Sequence, residues 1–325
     1  MHYLLLGAEQ KKYQSQLKRK KLERKEFLKI AALTPLFMST MNLQNFATLT
    51  NELPKQGKRM PVLFTSHGNP MDIPMSKEQR PFWKKLHDLG LDLQKKYEVK
   101  AAVVISAHWC TNDTTYVNTS GTQKQIFDYY GFPKEYYEVF YKANGSPEVA
   151  KEIANLIPNI KQTEEWGLDH GAWPMLMHLF PDANIPVFEL SIAYNAKSNY
   201  HYELGKQLKS LRDKGVLIIG SGSLIHNLPL AMQKFRSGDM KVFGWEDEYD
   251  AWLKKQIETR SFSEIINYKT SHKLGKLAAP TPDHFVPVLY SLGLADANDE
   301  IEFFYEAPVA LPAFSERSFV LKHKA

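Results

Sequence analysis

Three short runs, Pro61–Thr65, Val99–Ser106 and Gly215–Gly220, are almost wholly apolar, and each breaks off in a turn-rich loop. They do not alternate between apolar and polar residues, so a strand built from any of them must be covered on both faces. That is the pattern of a parallel sheet sandwiched between helices. Pro186–Ile192 reads as a fourth such strand. The stretches between them carry helical spacing. Pro81 to Tyr97 places Phe82, Leu86, Leu89 and Leu93 on one face, and Tyr200 to Lys214 does the same with Leu204, Leu208 and Leu211. Ser146-Pro147-Glu148 is a helix start, with a capping Ser, Pro at the first helical position and an acid in the first turn, opening a helix to about Ile157. Trp245 to Arg260 is a charged helix. The fold expected is α/β: a single domain over residues 59–325 with a largely parallel central sheet covered by helices on both faces.

Charge divides the chain differently. Its net +5 comes from residues 1–58, which carry 11 Lys/Arg against 4 Asp/Glu, while the remainder carries 30 against 32. The body therefore has no basic excess with which to hold nucleic acid, and no nucleic-acid partner is expected. No stretch approaches the roughly 18 apolar residues of a membrane span, so none is expected either. The basic leader, residues 1–58, runs from Lys18–Lys29 into the moderately apolar Ile30–Leu43, the layout of an export signal. Arg24-Lys25-Glu26-Phe27-Leu28-Lys29 is similar to a twin-arginine signal with Lys for the second Arg. Thr34, Pro35, Ser39 and Thr40 interrupt the apolar part, so a disordered extension on a cytoplasmic protein is the equal alternative. The lone Cys110 excludes an intramolecular disulfide and a zinc site of the Cys₄ or Cys₂His₂ kind, and it is expected as a small buried filler.

The chemistry lies in the histidines. Ligands bind beyond the carboxyl ends of the strands in an open α/β sheet. His67 follows the first strand, His108 the second, and His226 the glycine-flanked one, so all three fall at one edge. His284 comes after Thr281, read as a cap, and Pro282, read as a first helical residue, which would place it in a helix's first turn. His170 sits between Trp166 and Trp173, beside glycines that allow close approach, and suits a substrate-facing role. His87, His178 and His201 fall in or beside helical patterns and read as structural or surface residues. A cluster of imidazoles suits a divalent metal ion, Zn²⁺ or Fe²⁺ among others. Zinc would polarise a carbonyl or acidify a water for hydrolysis, and iron(II) would bring substrate and O₂ together. The residues alone leave both open, along with a non-catalytic binding protein.

The motifs go further. Ser66-His67-Gly68-Asn69-Pro70-Met71, Val104-Ile105-Ser106-Ala107-His108-Trp109 and Asp128-Tyr129-Tyr130-Gly131-Phe132-Pro133 are followed by Gly145-Ser146-Pro147 and Trp166-Gly167-Leu168-Asp169-His170-Gly171. Ser221-Gly222-Ser223-Leu224-Ile225-His226-Asn227-Leu228 and Pro280-Thr281-Pro282-Asp283-His284 complete the series. In this order residues 60–325 resemble the class III extradiol ring-cleavage dioxygenases, DOPA 4,5-dioxygenase type. The resemblance implies one divalent metal ion held by His67, His108 and His284, with His226 against it as a fourth ligand or as the acid/base. It implies His170 as a second catalytic histidine contacting substrate or O₂. The substrates implied are a DOPA-like catechol and O₂, and the product a muconic semialdehyde. Zinc is expected as the ion found and iron(II) as the ion of turnover. Two positions depart from the pattern: His284 stands where protocatechuate-cleaving relatives have a carboxylate, and Ser223 where DOPA-type relatives often have Asn. Trp109, Tyr129, Tyr130, Phe132 and Trp173 are the candidates to line an aromatic pocket.

Overall fold

The computed structural model describes residues 58–306 and 311–324. The leader expected over residues 1–58 lies, but for its last residue, outside them. Among the described residues, eight strands form one sheet: β1 (Val62–Thr65), β2 (Ala101–Thr111), β3 (Tyr116–Asn118), β4 (Lys161–Thr163), β5 (Val187–Ala193), β6 (Val216–Ser221), β7 (Asp299–Tyr305) and β8 (Ser318–His323). Their order is β4-β3-β5-β2-β6-β1-β8-β7. The central four, β5-β2-β6-β1, are parallel, and antiparallel pairs occur only toward the edges, at β3/β5, β1/β8 and β7/β8. The described residues thus form the single α/β domain with a largely parallel sheet that the apolar runs imply.

The major helices are α1 (Pro81–Lys96), α2 (Pro147–Leu156), α3 (Trp173–Leu179), α4 (Ser198–Gln207), α5 (Leu228–Ser237), α6 (Trp245–Glu258) and α7 (Val286–Gly293). Successive strand residues point to opposite sides of the sheet, so each strand feeds two cores. Val62, Phe64, Val103, Ile105 and Ile218 meet Ile153 of α2, Leu204 of α4, Leu253 of α6 and Leu289 of α7. Leu63, Val104, Leu217 and Ile219 meet Phe82, Trp83 and Leu86 of α1 and Trp173 and Leu176 of α3. Each such side chain, fully buried, contributes about 1.5–3 kcal/mol relative to exposure. Among the described residues no helix is long and apolar enough to cross a membrane.

Four local expectations are corrected. The second strand does not stop at Ser106 but continues to Thr111, its register against β5 shifting between Ile105 and Cys110. His108 is therefore inside an irregular strand end, where a bulge re-aims side chains. The helix expected from Thr281 begins instead at Val286. Thr281–His284 form turns in which the Pro282 carbonyl accepts from the N–H groups of Phe285 and Val286, and Pro287 supplies the helix-opening proline. Cys110 is exposed, because the side of β2 it occupies beyond the bulge is no longer covered; its thiol donates to the Ala107 carbonyl. Ser146 does precede α2, but its hydroxyl makes no capping bond.

Candidate active site

Strand register assembles the site. Thr65 of β1, Ser106 of β2 and Ser221 of β6 lie side by side at the carboxyl edge of the parallel strands. His67 and His108 each lie two residues beyond that row, and His226 lies five residues beyond it. Gly68, next to His67, adopts φ +72°, the left-handed region that lets the chain turn away at once. His284 is fixed from below, where its carbonyl accepts the N–H of Ser223 in the loop after β6. His170 stands in the turn before α3. There Gly171 passes so close to β2 that a Cβ on it would lie 2.3 Å from Ser106 Oγ and 2.8 Å from His108 Cδ2.

His67, His108 and His284 offer ring nitrogens within 4.8 Å of one another. The Nε2 atoms of His67 and His108 are 3.1 Å apart. Two nitrogens on one ion, with bonds of about 2.1 Å, stand roughly 3.0–3.4 Å apart at octahedral or tetrahedral angles, so this spacing suits a shared ion. The far side of each ring faces an oxygen. His67 Nδ1 is 3.1 Å from Ser221 Oγ, whose own proton goes to the Gly171 carbonyl, so the imidazole must be the donor between them. His284 Nδ1 donates to the Asp283 carboxylate, and His108 Nδ1 lies 3.3 Å from Asp128 Oδ2. Donation from Nδ1 leaves the Nε2 lone pair free, the arrangement by which outer carboxylates and hydroxyls orient metal-binding histidines.

His226 takes a different place. Its ring lies flat on that of His284, with centroids 3.5 Å apart and planes 3° from parallel, in a group with Asp283 rather than with His67 and His108. His170 is tilted against His108, with ring centroids 3.8 Å apart and planes at 47°, and its Nδ1 is 2.8 Å from Asp128 Oδ1, which also accepts the His170 backbone N–H. Burial first, and then repulsion from neighbouring imidazoles, pushes the pKa values of His67, His108 and His226 well below the ordinary histidine value. All three are neutral at neutral pH, the form in which imidazole binds a cation. Asp283 goes the other way: burial alone would raise its carboxyl, but the hydrogen bond and charge of His284 pull it far down, so it stays ionised.

Beneath His108 and His170 runs a chain of groups to which the sequence reading gave no role, although all but Glu189 lie within the motifs. The His108 N–H donates to Ser106 Oγ at 3.1 Å, and Ser106 Oγ donates to Asp169 Oδ1 at 2.6 Å. The Asp169 N–H donates to Glu189 Oε1 at 2.9 Å, while Trp166 Nε1 reaches both carboxylates. Burial pushes Asp169 up to about 6 and Glu189 well above the ordinary carboxylate range, the charge of Asp128 adding to the first and that of Asp169 to the second. The one signal for Glu189 was an acid inside an otherwise apolar strand. Asp128 and Asp283 were both inside quoted motifs but were not assigned a role.

These imidazoles floor a cavity of about 410 Å³, within the range of small-molecule sites. Of the five aromatic residues expected to line it, Phe132 does. Trp109 stacks on Trp166 at a separate surface hollow, Trp173 is fully buried in the core, Tyr130 is 90% exposed, and Tyr129 packs edge-on to His170 behind the wall. The mouth is instead made by Pro70, Met71, Leu228, Met232, Phe235, Leu311 and Phe314. Leu228, Met232 and Phe235 recur at i, i+4 and i+7 on α5, a stripe legible as one helix face but ordinarily read as core. Ser223, at the departure from the family pattern, turns its hydroxyl to the carbonyls of Ile225 and Ser315 and so braces the loop.

Comparison with known proteins agrees over most of the chain. A family model described as the catalytic LigB subunit of aromatic ring-opening dioxygenase matches residues 61–310. The 4,5-DOPA dioxygenase extradiol of Escherichia coli (strain K12) is 35% identical over 259 residues, 78% of this chain and 92% of that protein. A protein of the same name from Beta vulgaris is 37% identical over 252 residues, 76% and 91% of the two chains. Among solved structures, an uncharacterized protein from Escherichia coli K12 superposes with a TM-score of 0.67 at 31% identity, covering 81% of this chain and 99% of that one.

Proposed function

The chain belongs to the family of catalytic LigB subunits of aromatic ring-opening dioxygenases and is an enzyme of that kind, and from that premise we propose that it cleaves the ring of a catechol beside the diol, using O₂ and one metal ion held by His67, His108 and His284. Family membership does not favour the hydrolase or the non-catalytic reading. The relatives carry DOPA in their names, and a DOPA-like catechol giving a muconic semialdehyde is the corresponding reading here. The reaction balances without a further reductant: both oxygen atoms enter the product as one ring C–C bond breaks.

The observation that carries the proposal is the convergence of three imidazoles, each with its Nδ1 facing an oxygen, on the floor of a substrate-sized cavity. Iron(II) bound there would supply a Lewis acid for the ring oxygens and a redox partner for O₂. The protein's own part is proton movement and orientation. His226, held neutral, is an acceptor for a ring hydroxyl proton, and its depressed pKa makes the resulting imidazolium a ready donor when the product forms. His170 faces the cavity from the other side, its backbone N–H bonded to Asp128 Oδ1 and its Nδ1 2.8 Å from the same oxygen. Asp283 stays ionised and holds His284 in one tautomer. The apolar rim limits water around the ring once substrate is seated. Aerobic incubation of the iron(II)-reconstituted protein with simple catechols tests the reading. A yellow ring-opened product with one O₂ consumed per catechol is expected. Anaerobic ester or amide hydrolysis with no ring opening would contradict it.

A further inference from the structure

Resting on the ring-cleavage reading, we infer that Glu189 is a positioning residue for the reaction: through Asp169 it fixes both the bulged end of β2 that aims His108 and the turn that carries His170. Pairing within the sheet stops short of this task. Strand β2 pairs with β5 from Ala102 to Ile105 and again from Cys110, and with β6 as far as Ser106, so Ala107, His108 and Trp109 fall between the paired stretches. The His108 N–H goes to Ser106 Oγ instead. Backbone that leaves the ladder while carrying a metal ligand needs another support, and here side chains supply it.

The support leads back to Glu189. It pairs with Val104 in the ladder, on the face of the sheet that packs against α1 and α3, and it is fully buried, as is Asp169. Glu189 Oε1 accepts the Asp169 N–H at 2.9 Å. Asp169 Oδ1 in turn accepts the Ser106 hydroxyl at 2.6 Å and the Gly171 N–H at 2.9 Å. Trp166 Nε1 lies 3.3 Å from Asp169 Oδ2 and 3.2 Å from Glu189 Oε2, tying the two carboxyls together. The residues on either side of His170 are thus anchored to one buried pair, and the same pair reaches the His108 N–H through Ser106. These donors are a hydroxyl, an indole and two backbone N–H groups, none of them cationic. Two buried carboxyls in such company retain a proton, and burial accordingly raises both. A protonated Glu189 offers an acceptor and a donor, as glutamine does; leucine fills similar space and offers neither.

The test uses the full chain carrying Glu189→Leu, Glu189→Gln, Ser106→Ala, or Ser106→Ala with Glu189→Leu. With iron(II) and 4-methylcatechol, Glu189→Leu should lower kcat about 10- to 100-fold, the scale of loss when reacting groups are misplaced, while catechol affinity without O₂ stays within about threefold. Glu189→Gln should keep kcat within about threefold of the unaltered protein, because it restores both hydrogen-bonding roles. The double variant should lose little more than Glu189→Leu alone, since the two residues act along one line. In the metal-free protein, amide hydrogen exchange followed by NMR should quicken about tenfold or more at His108, Asp169 and Gly171 in Glu189→Leu, and hold along α7. Should Glu189→Leu fail to fold, Trp166→Phe, which deletes the indole donor and keeps a ring against Trp109, is read in its place for kcat and exchange. Equal loss in the Gln and Leu variants, losses that multiply in the double variant, or unchanged exchange at His108 overturns the inference. If the unaltered protein opens no catechol, the ring-cleavage reading fails alone, since exchange still decides the positioning.

Discussion

The floor and the mouth of this one cavity are built by opposite means. On the floor, five imidazoles crowd together, and His67, His108, His170 and His284 each have Nδ1 facing an oxygen of Ser221, Asp128 or Asp283. Strand register, close backbone approach at Gly171 and half-buried carboxylates leave those rings little freedom. At the mouth, Met71, Leu228 and Met232 are exposed and held by no hydrogen bonds of their own side chains. Chemistry needs groups fixed to fractions of an ångström, whereas selection among ring substituents needs only a surface of the right polarity. Damage to the floor should therefore abolish the reaction, while change at the mouth should redirect it.

The largest effect is expected from His108→Ala, which removes one nitrogen from the converging three. Metal content by elemental analysis should fall toward zero and ring cleavage with it; full metal occupancy in a folded variant would break the contrast. Next comes His226→Ala. General acid–base groups contribute typically 10²–10⁴-fold, and kcat should drop by that order while metal content and catechol affinity stay measurable. Asp283→Asn should act more gently, weakening metal affinity about 10- to 100-fold, as loss of an orienting partner does, read by competition with a chelator.

The smallest effect lies beneath the floor. Asp169 is pushed up to about 6 and Glu189 well above its ordinary 4.5, so above about pH 4 the folded protein holds protons that the unfolded chain has released. The native state then binds more protons than the unfolded one, and the pair's contribution to stability falls as pH rises through 4 to 6 and beyond. In the metal-free protein, Glu189→Gln carries no such proton. The thermal midpoint of the unaltered protein should therefore decline relative to that of the variant across this range, and parallel curves would remove the buried proton from the account.

Much of this was legible in the residues, for identifiable reasons. Fully apolar runs such as Gly215–Gly220 announce strands covered on both faces, and a histidine shortly after each announces a shared edge. The runs could not reveal that β2 continues past Ser106, because beyond it the side chains face the site and the solvent rather than the core, so the apolar signal ends before the strand does. Thr281-Pro282 looked like a helix start because the same residue types also build tight turns; Pro287, five residues on, is the proline the helix uses. The rim was missed for a related reason. Leu228, Met232 and Phe235 carry the spacing of a core-facing stripe, and only the position of α5 at the carboxyl edge turns that stripe toward a cavity. Aromatic residues near the motifs drew attention instead, yet Trp173 serves the core and Trp109 pairs with Trp166. Glu189 was hidden by the bias of its strand.

The most direct test of the central claim is anomalous diffraction from crystals of the protein loaded with iron(II) under exclusion of air. The account expects one strong peak within bonding distance of Nε2 of His67, His108 and His284, with His226 stacked beside it. A peak between His226 and Asp283, or none near the three, would contradict it.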